Sequence, residues 1–294
     1  MTRTRPTPAD RVFTSRGATV ILAIWAFGMM AGRGVSLPCM ALTLVVGAAM
    51  CVLNKIYNLT HSTSILFAGL YAVLQSGIAT ADQSVEGLLY ALVAIAATGI
   101  MFLCFHAPQH RRTIFLVFLM LGLGSLFSSA YWPLTGLFLI GIANMRALTL
   151  RGLTAAALGL LTPAVLLMGY GVIPLSLPAP DFQIITADGI AERPQLFMTG
   201  LIPAALCVVF GSVCVLLTYG FQSKPRNYNA AVHLLTLYAM AMFCLDFGRA
   251  PIYLPLLMVC AAYETSLFVT SRALGYVGGV IALIGWVAML IINA

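Results

Sequence analysis

The chain has 294 residues, 61% of them hydrophobic and only 8% charged, with a mean hydropathy of +1.01. Soluble domains are about a quarter charged, so this composition excludes a soluble enzyme or binding module and describes an integral membrane protein. The net charge of +7 would suggest nucleic acid in a soluble chain; here the placement of the basic residues explains it, and no nucleic-acid partner is expected.

Residues 1–16 form a basic polar tail. The apolar run behind it leads into "AGRGVSLPC", without a small-x-small cleavage site, so the tail reads as retained and cytoplasmic rather than as a cleaved signal. From residue 17 to 294 apolar runs recur with no polar block large enough to fold alone, which predicts a single transmembrane domain. The predicted helices are 17–35, 37–53, 64–80, 86–105, 113–128, 131–145, 153–173, 197–221, 229–246, 251–270 and 273–292. The fold class is therefore all-α, a polytopic helix bundle of about eleven helices, within a range of about ten to twelve. Several runs fall below the roughly 20 residues of a perpendicular crossing. The pair around "LFSSAYWPL" reads either as two spans or as a re-entrant pair.

Lys and Arg collect in cytoplasmic loops. With the N-terminus inside, that side receives Arg3, Arg5, Arg11, Arg16, Lys55, Arg111, Arg112, Arg146, Arg151, Lys224, Arg226 and Arg272, twelve of the fifteen basic residues. The opposite side receives Arg33, Arg193 and Arg249 with the acids Asp82, Glu86, Asp181, Asp188, Glu192 and Asp246. The expected topology is N-inside, C-outside, and the basic loops, "HRR" at 110–112 included, are topological signals with some affinity for anionic headgroups.

Along the chain, Arg33 in "GRGVSLP" is one of the few outer-side cations, a candidate phosphate ligand. The inner connection "NKIYNLTHSTS" is polar: Ser62 or Ser64 can cap the next helix, or the stretch forms a polar mouth near Glu264. His106 and His110 flank a proline, which disfavours a metal site, and no metal is expected. The outer stretch 174–196 is long enough for an ordered excursion or small lid. His233, just inside the ninth span, reads as a satisfied helix-end histidine rather than a proton carrier.

The segment "CLDFGRAP" holds Asp246 and Arg249 at an outer turn. The pair reads as a local ion pair capping that turn; alternatively Arg249 joins Arg33 in binding a phosphate or pyrophosphate headgroup, with Asp246 as candidate base. Glu264 is the only acid well inside a predicted span. A lone carboxylate there costs on the order of 3 kcal/mol, so it is expected to face the bundle interior, paired or protonated, with Lys55 as a candidate partner, and to be functional or structural. Seven cysteines without a CxxC pair read as small packing residues. No nucleotide, hydrolase or zinc motif occurs, which excludes an ATP-driven pump from this chain alone, and no cofactor is expected.

The stretches "NLTHSTSILFAGLYAVL" and "RRTIFLVFLMLGLGSLFSSAYWPLTGLFLIGIANMRALTLRGLTAAALGLLTP" resemble a family of polytopic inner-membrane proteins of Bacteroidota classified only as a domain of unknown function. The resemblance implies a multi-pass protein of the bacterial inner membrane, with a fold broadly like that of glycosyltransferases using polyprenyl-phosphate-linked sugars. It supplies no catalytic residues. Such enzymes place an acid in the first outer loop, where this chain has Arg33, so Asp82 or Asp246 would have to substitute.

Three functions remain open. The first is envelope biogenesis, with a polyprenyl phosphate or lipid-linked glycan held at the outer face by Arg33 and Arg249. The second is a secondary transporter or flippase using Glu264 as proton or cation site. The third is a non-catalytic subunit whose small-residue faces, such as Gly122 and Gly124 or Gly275, Gly278 and Gly279, meet a membrane-protein partner. Whether the chain is an enzyme stays open, and membrane lipids are expected partners throughout.

Overall fold

The structure, a computed structural model, describes residues 16–60, 66–105, 111–170, 182–218, 220, 223–271 and 275–293. Most of the predicted tail, Ser62, Ser64, His106, His110, Asp181 and Arg272 fall outside these residues. The described residues hold twelve α-helices and no strand: α1 (Arg16–Gly32), α2 (Leu37–Tyr57), α3 (Leu66–Ser76), α4 (Val85–Phe102), α5 (Arg111–Phe127), α6 (Tyr131–Asn144), α7 (Leu150–Gly169), α8 (Ala187–Glu192), α9 (Pro194–Thr218), α10 (Ser223–Leu245), α11 (Ala250–Ser271) and α12 (Gly275–Ile292). Short 3₁₀ turns occur at Thr80–Asp82 and Phe247–Arg249.

A helix occupies each of the eleven predicted apolar runs. The addition is α8, one and a half turns inside the outer excursion, started by the Thr186 hydroxyl, which accepts from the Gly189 amide. Six helices (α2, α4, α7, α9, α10 and α11) are long and apolar enough to cross a membrane, and α1, α3 and α12 add shorter apolar helices. The chain is a polytopic membrane protein. With 14 residues, α6 reaches about 21 Å, short of the roughly 30 Å hydrocarbon core.

At the centre stands α11, with 89% of the residues in its apolar 18-residue stretch buried, packed against α3, α4, α9, α10 and α12. It is apolar on nearly every side, the pattern of a helix enclosed by others. Its interior Pro255 offers no N–H to the carbonyl four residues earlier, that of Pro251. The Ser84 hydroxyl donates to that carbonyl at 3.2 Å while accepting the Gly87 amide at 2.9 Å as the cap of α4. A Cβ at Gly87 would stand 2.5 Å from the Pro251 carbonyl oxygen, so only glycine permits this junction.

The parallel helices α5 and α7 form the most extensive pair, at the periphery. Gly122, Gly124 and Gly278, expected on partner faces, are used inside the chain instead: they meet the Leu160 backbone, the Tyr131 ring and the Phe268 ring. Small residues let these elements approach, and that demand is internal here. Among the described residues the cysteines form no disulfide.

The described charges divide between two ends of the bundle. Asp82, Glu86, Asp188, Glu192, Arg193, Arg33 and Arg249 lie at helix termini and turns of one, the acidic end; Lys55, Arg111, Arg112, Arg146, Arg151 and Arg226 lie at the other, the basic end.

Candidate functional site

The strongest concentration of buried polar groups lies where α10 meets α11. Glu264 is 0% exposed. Its Oε1 faces the His233 Nδ1 at 2.6 Å and accepts from the Thr236 hydroxyl at 3.2 Å. His233 and Thr236 are three residues apart and therefore share one face of α10. The partner expected for Glu264 was Lys55; that side chain is exposed at the basic end, and the acid takes the imidazole instead. Because α10 begins at Ser223, six residues before the predicted start, His233 lies in the middle of the helix rather than at its end, and it bonds an intramembrane carboxylate rather than a helix terminus.

Two buried atoms of this pair have no partner among the described residues: Oε2 of Glu264 and Nε2 of His233. Gly211 on α9 faces the carboxyl group, and even a Cβ there would stand 3.7 Å from its carbon. The Cys214 thiol donates to the Glu264 carbonyl at 3.4 Å.

Toward the basic end the polar contacts continue. The Tyr263 hydroxyl donates to the Asn229 Oδ1. The Asn229 amide donates to the carbonyls of Leu59, at 3.3 Å, and Pro225, at 3.0 Å. Thr60 donates twice to the Asn54 Oδ1. The polar connection after α2 therefore reaches the residue adjacent to Glu264 through Asn229, as far as the described residues extend.

At the acidic end is a second polar island. Asp246, 1% exposed, accepts the Tyr253 hydroxyl at 2.9 Å, and its Oδ1 has no partner among the described residues. Beside it the Tyr90 and Tyr238 hydroxyls bond at 2.7 Å, and the Tyr90 ring meets Tyr131 and Tyr253 edge to face. The expected Asp246–Arg249 ion pair does not form among the described residues. The Phe247–Arg249 turn leaves the carboxylate inside the bundle, while the half-buried guanidinium donates to the Ser129 hydroxyl between α5 and α6. Tyr253 and Glu264 are eleven positions apart on α11, about 16 Å of helix, and from Leu254 to Ala262 the residues between them are apolar apart from Cys260. Along α11 the two islands are divided by an apolar stretch.

Arg33 has a different place. Its Nη1 donates to the Ser76 carbonyl at 3.1 Å and its Nη2 to the Asn293 carbonyl at 2.9 Å, orphan acceptors at the ends of α3 and α12. The Asn293 amide in turn donates to the Gly77 carbonyl and the Thr199 hydroxyl. Among the described residues Arg33 and Arg249 share no partner. Beside the Phe247–Gly248 turn, a recess of about 290 Å³ is lined by Gln183, Thr186, Asp188, Glu192, Arg193 and Phe247. Arg193 also acts on Asp82, whose carboxyl burial pushes above its ordinary value while the guanidinium partly offsets the shift.

Among the described residues no three His, Cys, Asp or Glu side chains converge in a metal-binding group. The His233–Glu264 pairing was the main feature missed from sequence. The usable signal was that a membrane-buried acid requires a partner and that the preceding apolar run contains one histidine. In comparisons with known proteins, no family model, curated protein or solved structure matches this chain.

Proposed function

We propose that the protein is a proton-coupled secondary transporter, with its basic end in the cytoplasm and the His233–Glu264 pair as its coupling site. The observation that carries this reading is a fully buried carboxyl group bonded at 2.6 Å to an imidazole on the central helices, where ionisable side chains are expensive and mark ion or proton pathways. With one proton between them the pair has no net charge, whether written as imidazolium and carboxylate or as imidazole and carboxylic acid. Gaining a proton makes it cationic and losing one makes it anionic. Both changes are costly in a dry interior, so each favours a conformation that brings water or a counter-charge to the site. Interior prolines in α9 and α11, Pro203 and Pro255, supply points at which packed helices bend.

The experiment is a pH step applied to reconstituted proteoliposomes on a solid-supported membrane, with protons as the only probe. Wild type is expected to give a transient charge displacement as the site changes protonation, absent in Glu264→Gln and displaced along the pH axis in His233→Gln. A displacement unchanged in Glu264→Gln would overturn the proposal.

The envelope-biogenesis reading has one observation in its favour: Arg249 is half-buried, has no carboxylate partner among the described residues, and follows Gly248, which lines the recess at the acidic end. It draws less support from Arg33, whose two terminal nitrogens already hold helix-end carbonyls. Native mass spectrometry of co-purifying lipids tests it. A polyprenyl phosphate present in wild type and lost in Arg249→Ala would favour it over transport.

A further inference from the structure

The outward-facing seam between α5 and α7 has its own chemistry. Both helices begin at the basic end, so their N-termini, with their positive dipole ends, lie side by side. Gly152 in the first turn of α7 lies against Ile114 in the first turn of α5, and Gly159 against the Phe115 carbonyl, which fixes the two helix starts at contact distance. Arg111 and Arg112 are exposed in the first turn of α5, and Arg151 is exposed in that of α7. None of the three forms an ion pair among the described residues, and the described acids lie at the opposite end or in the core.

Below the arginines the seam opens into a groove of about 400 Å³, lined by Arg111, Arg112, Phe115, Leu116, Ala155 and Leu158. Its walls are apolar, and it continues into the exposed face of α7, where Leu158, Leu161, Val165 and Leu166 are 50–63% exposed. Cations at the mouth and an apolar channel running along the bundle axis match one kind of molecule, a phosphate with hydrocarbon chains attached.

We infer that the α5–α7 groove is a binding site for an anionic phospholipid of the leaflet at the basic end, its phosphate held by Arg111, Arg112 and Arg151 and one acyl chain lying against Phe115, Leu116, Ala155 and Leu158. Guanidinium groups suit this role because they bind phosphate oxygens in pairs, and basic pockets between membrane helices recognise such headgroups. The inference stands apart from the transport reading, since it involves neither α10 nor α11.

The test is native mass spectrometry of the full chain in detergent with added phosphatidylglycerol or phosphatidylcholine, alongside wild type, Arg111→Gln/Arg112→Gln and Ala155→Trp. Wild type is expected to retain phosphatidylglycerol over phosphatidylcholine. The double arginine variant should lose at least about tenfold of that preference, given the contribution of each basic residue near a charged headgroup. Ala155→Trp fills the groove and keeps every charge, so it should lose the retained lipid as well. Equal retention in Ala155→Trp would overturn the groove and leave only diffuse attraction, and displacement by inorganic phosphate alone would assign the arginines to a free anion. Unchanged melting of the variants in phosphatidylcholine confirms that they are folded.

Discussion

Removing His233 provides the most informative perturbation. In His233→Leu the Glu264 carboxyl keeps only the Thr236 hydroxyl at 3.2 Å, in a position with 0% exposure. Removing one member of a buried pair costs about 3–5 kcal/mol, whereas replacing both by apolar residues of similar volume is often close to neutral. His233→Leu is therefore expected to lower the melting temperature in detergent by on the order of 10 °C. Glu264→Leu, which strands a neutral imidazole, should cost about 1–3 kcal/mol. The double variant His233→Leu/Glu264→Leu should recover most of the loss, giving a coupling of at least about 2 kcal/mol in the cycle. Unfolding followed by intrinsic fluorescence reads all four proteins. Additivity within about 0.5 kcal/mol would refute the pairing. A stable double variant with no pH-step response would separate the pair's structural role from its proton chemistry.

Other elements give sharper local tests. Gly87→Ala should destabilise far more than Ser84→Ala, because a Cβ 2.5 Å from the Pro251 carbonyl oxygen forces α4 and α11 apart, whereas the serine loses one cap and one carbonyl bond, about 1–3 kcal/mol. Equal melting temperatures would contradict the junction. Arg33→Ala should speed hydrogen exchange in α12 and at the end of α3, and Arg33→Lys should not restore protection, since one ammonium cannot replace the planar fork that reaches both the Ser76 and Asn293 carbonyls. Exchange at wild-type rates in Arg33→Ala would show that these bonds do not secure the C-terminus. Burial raises the Asp82 carboxyl above its ordinary value, so the folded state binds this proton more tightly than the unfolded chain and stability falls as pH rises through the shifted value. Asp82→Asn should therefore raise the melting temperature at neutral pH and leave it unchanged at acid pH where the carboxyl is protonated in both states. A decrease at neutral pH would mean that the Arg193 attraction outweighs burial.

The helix positions were legible because the signal is local: an apolar run long enough for lipid, bounded by Gly, Pro or charge, becomes a helix whatever its neighbours do. The faces were not. A helix apolar on nearly every side, as α11 is, gives no period by which to say which side meets which partner, so the burial of Glu264 could be foreseen from its cost but His233 could not be chosen over Lys55. Short sequence spacing also misled. Asp246 and Arg249, three residues apart, would share a face of an α-helix, but the 3₁₀ turn sends one inward and the other toward Ser129. Arg33 was recognisable as an unusual cation on its side. Its carbonyl partners, 43 and 260 residues away, are set by packing that no local pattern encodes.

The central position of α11 bears on how the protein is made. It is the eleventh of twelve described helices to be synthesised, and α10 and α11 are the least apolar of the six long spans. Until both have emerged, neither His233 nor Glu264 has its partner, and insertion of Glu264 alone carries a penalty of about 3 kcal/mol. Delivered together as a hairpin, the two helices neutralise that penalty within themselves and enter a space that α3, α4 and α9 must already surround or leave open. The helices that enclose α11 on three sides, α3, α4 and α9, thus precede it in the chain, which makes joint insertion of the α10–α11 hairpin the step at which assembly succeeds or fails.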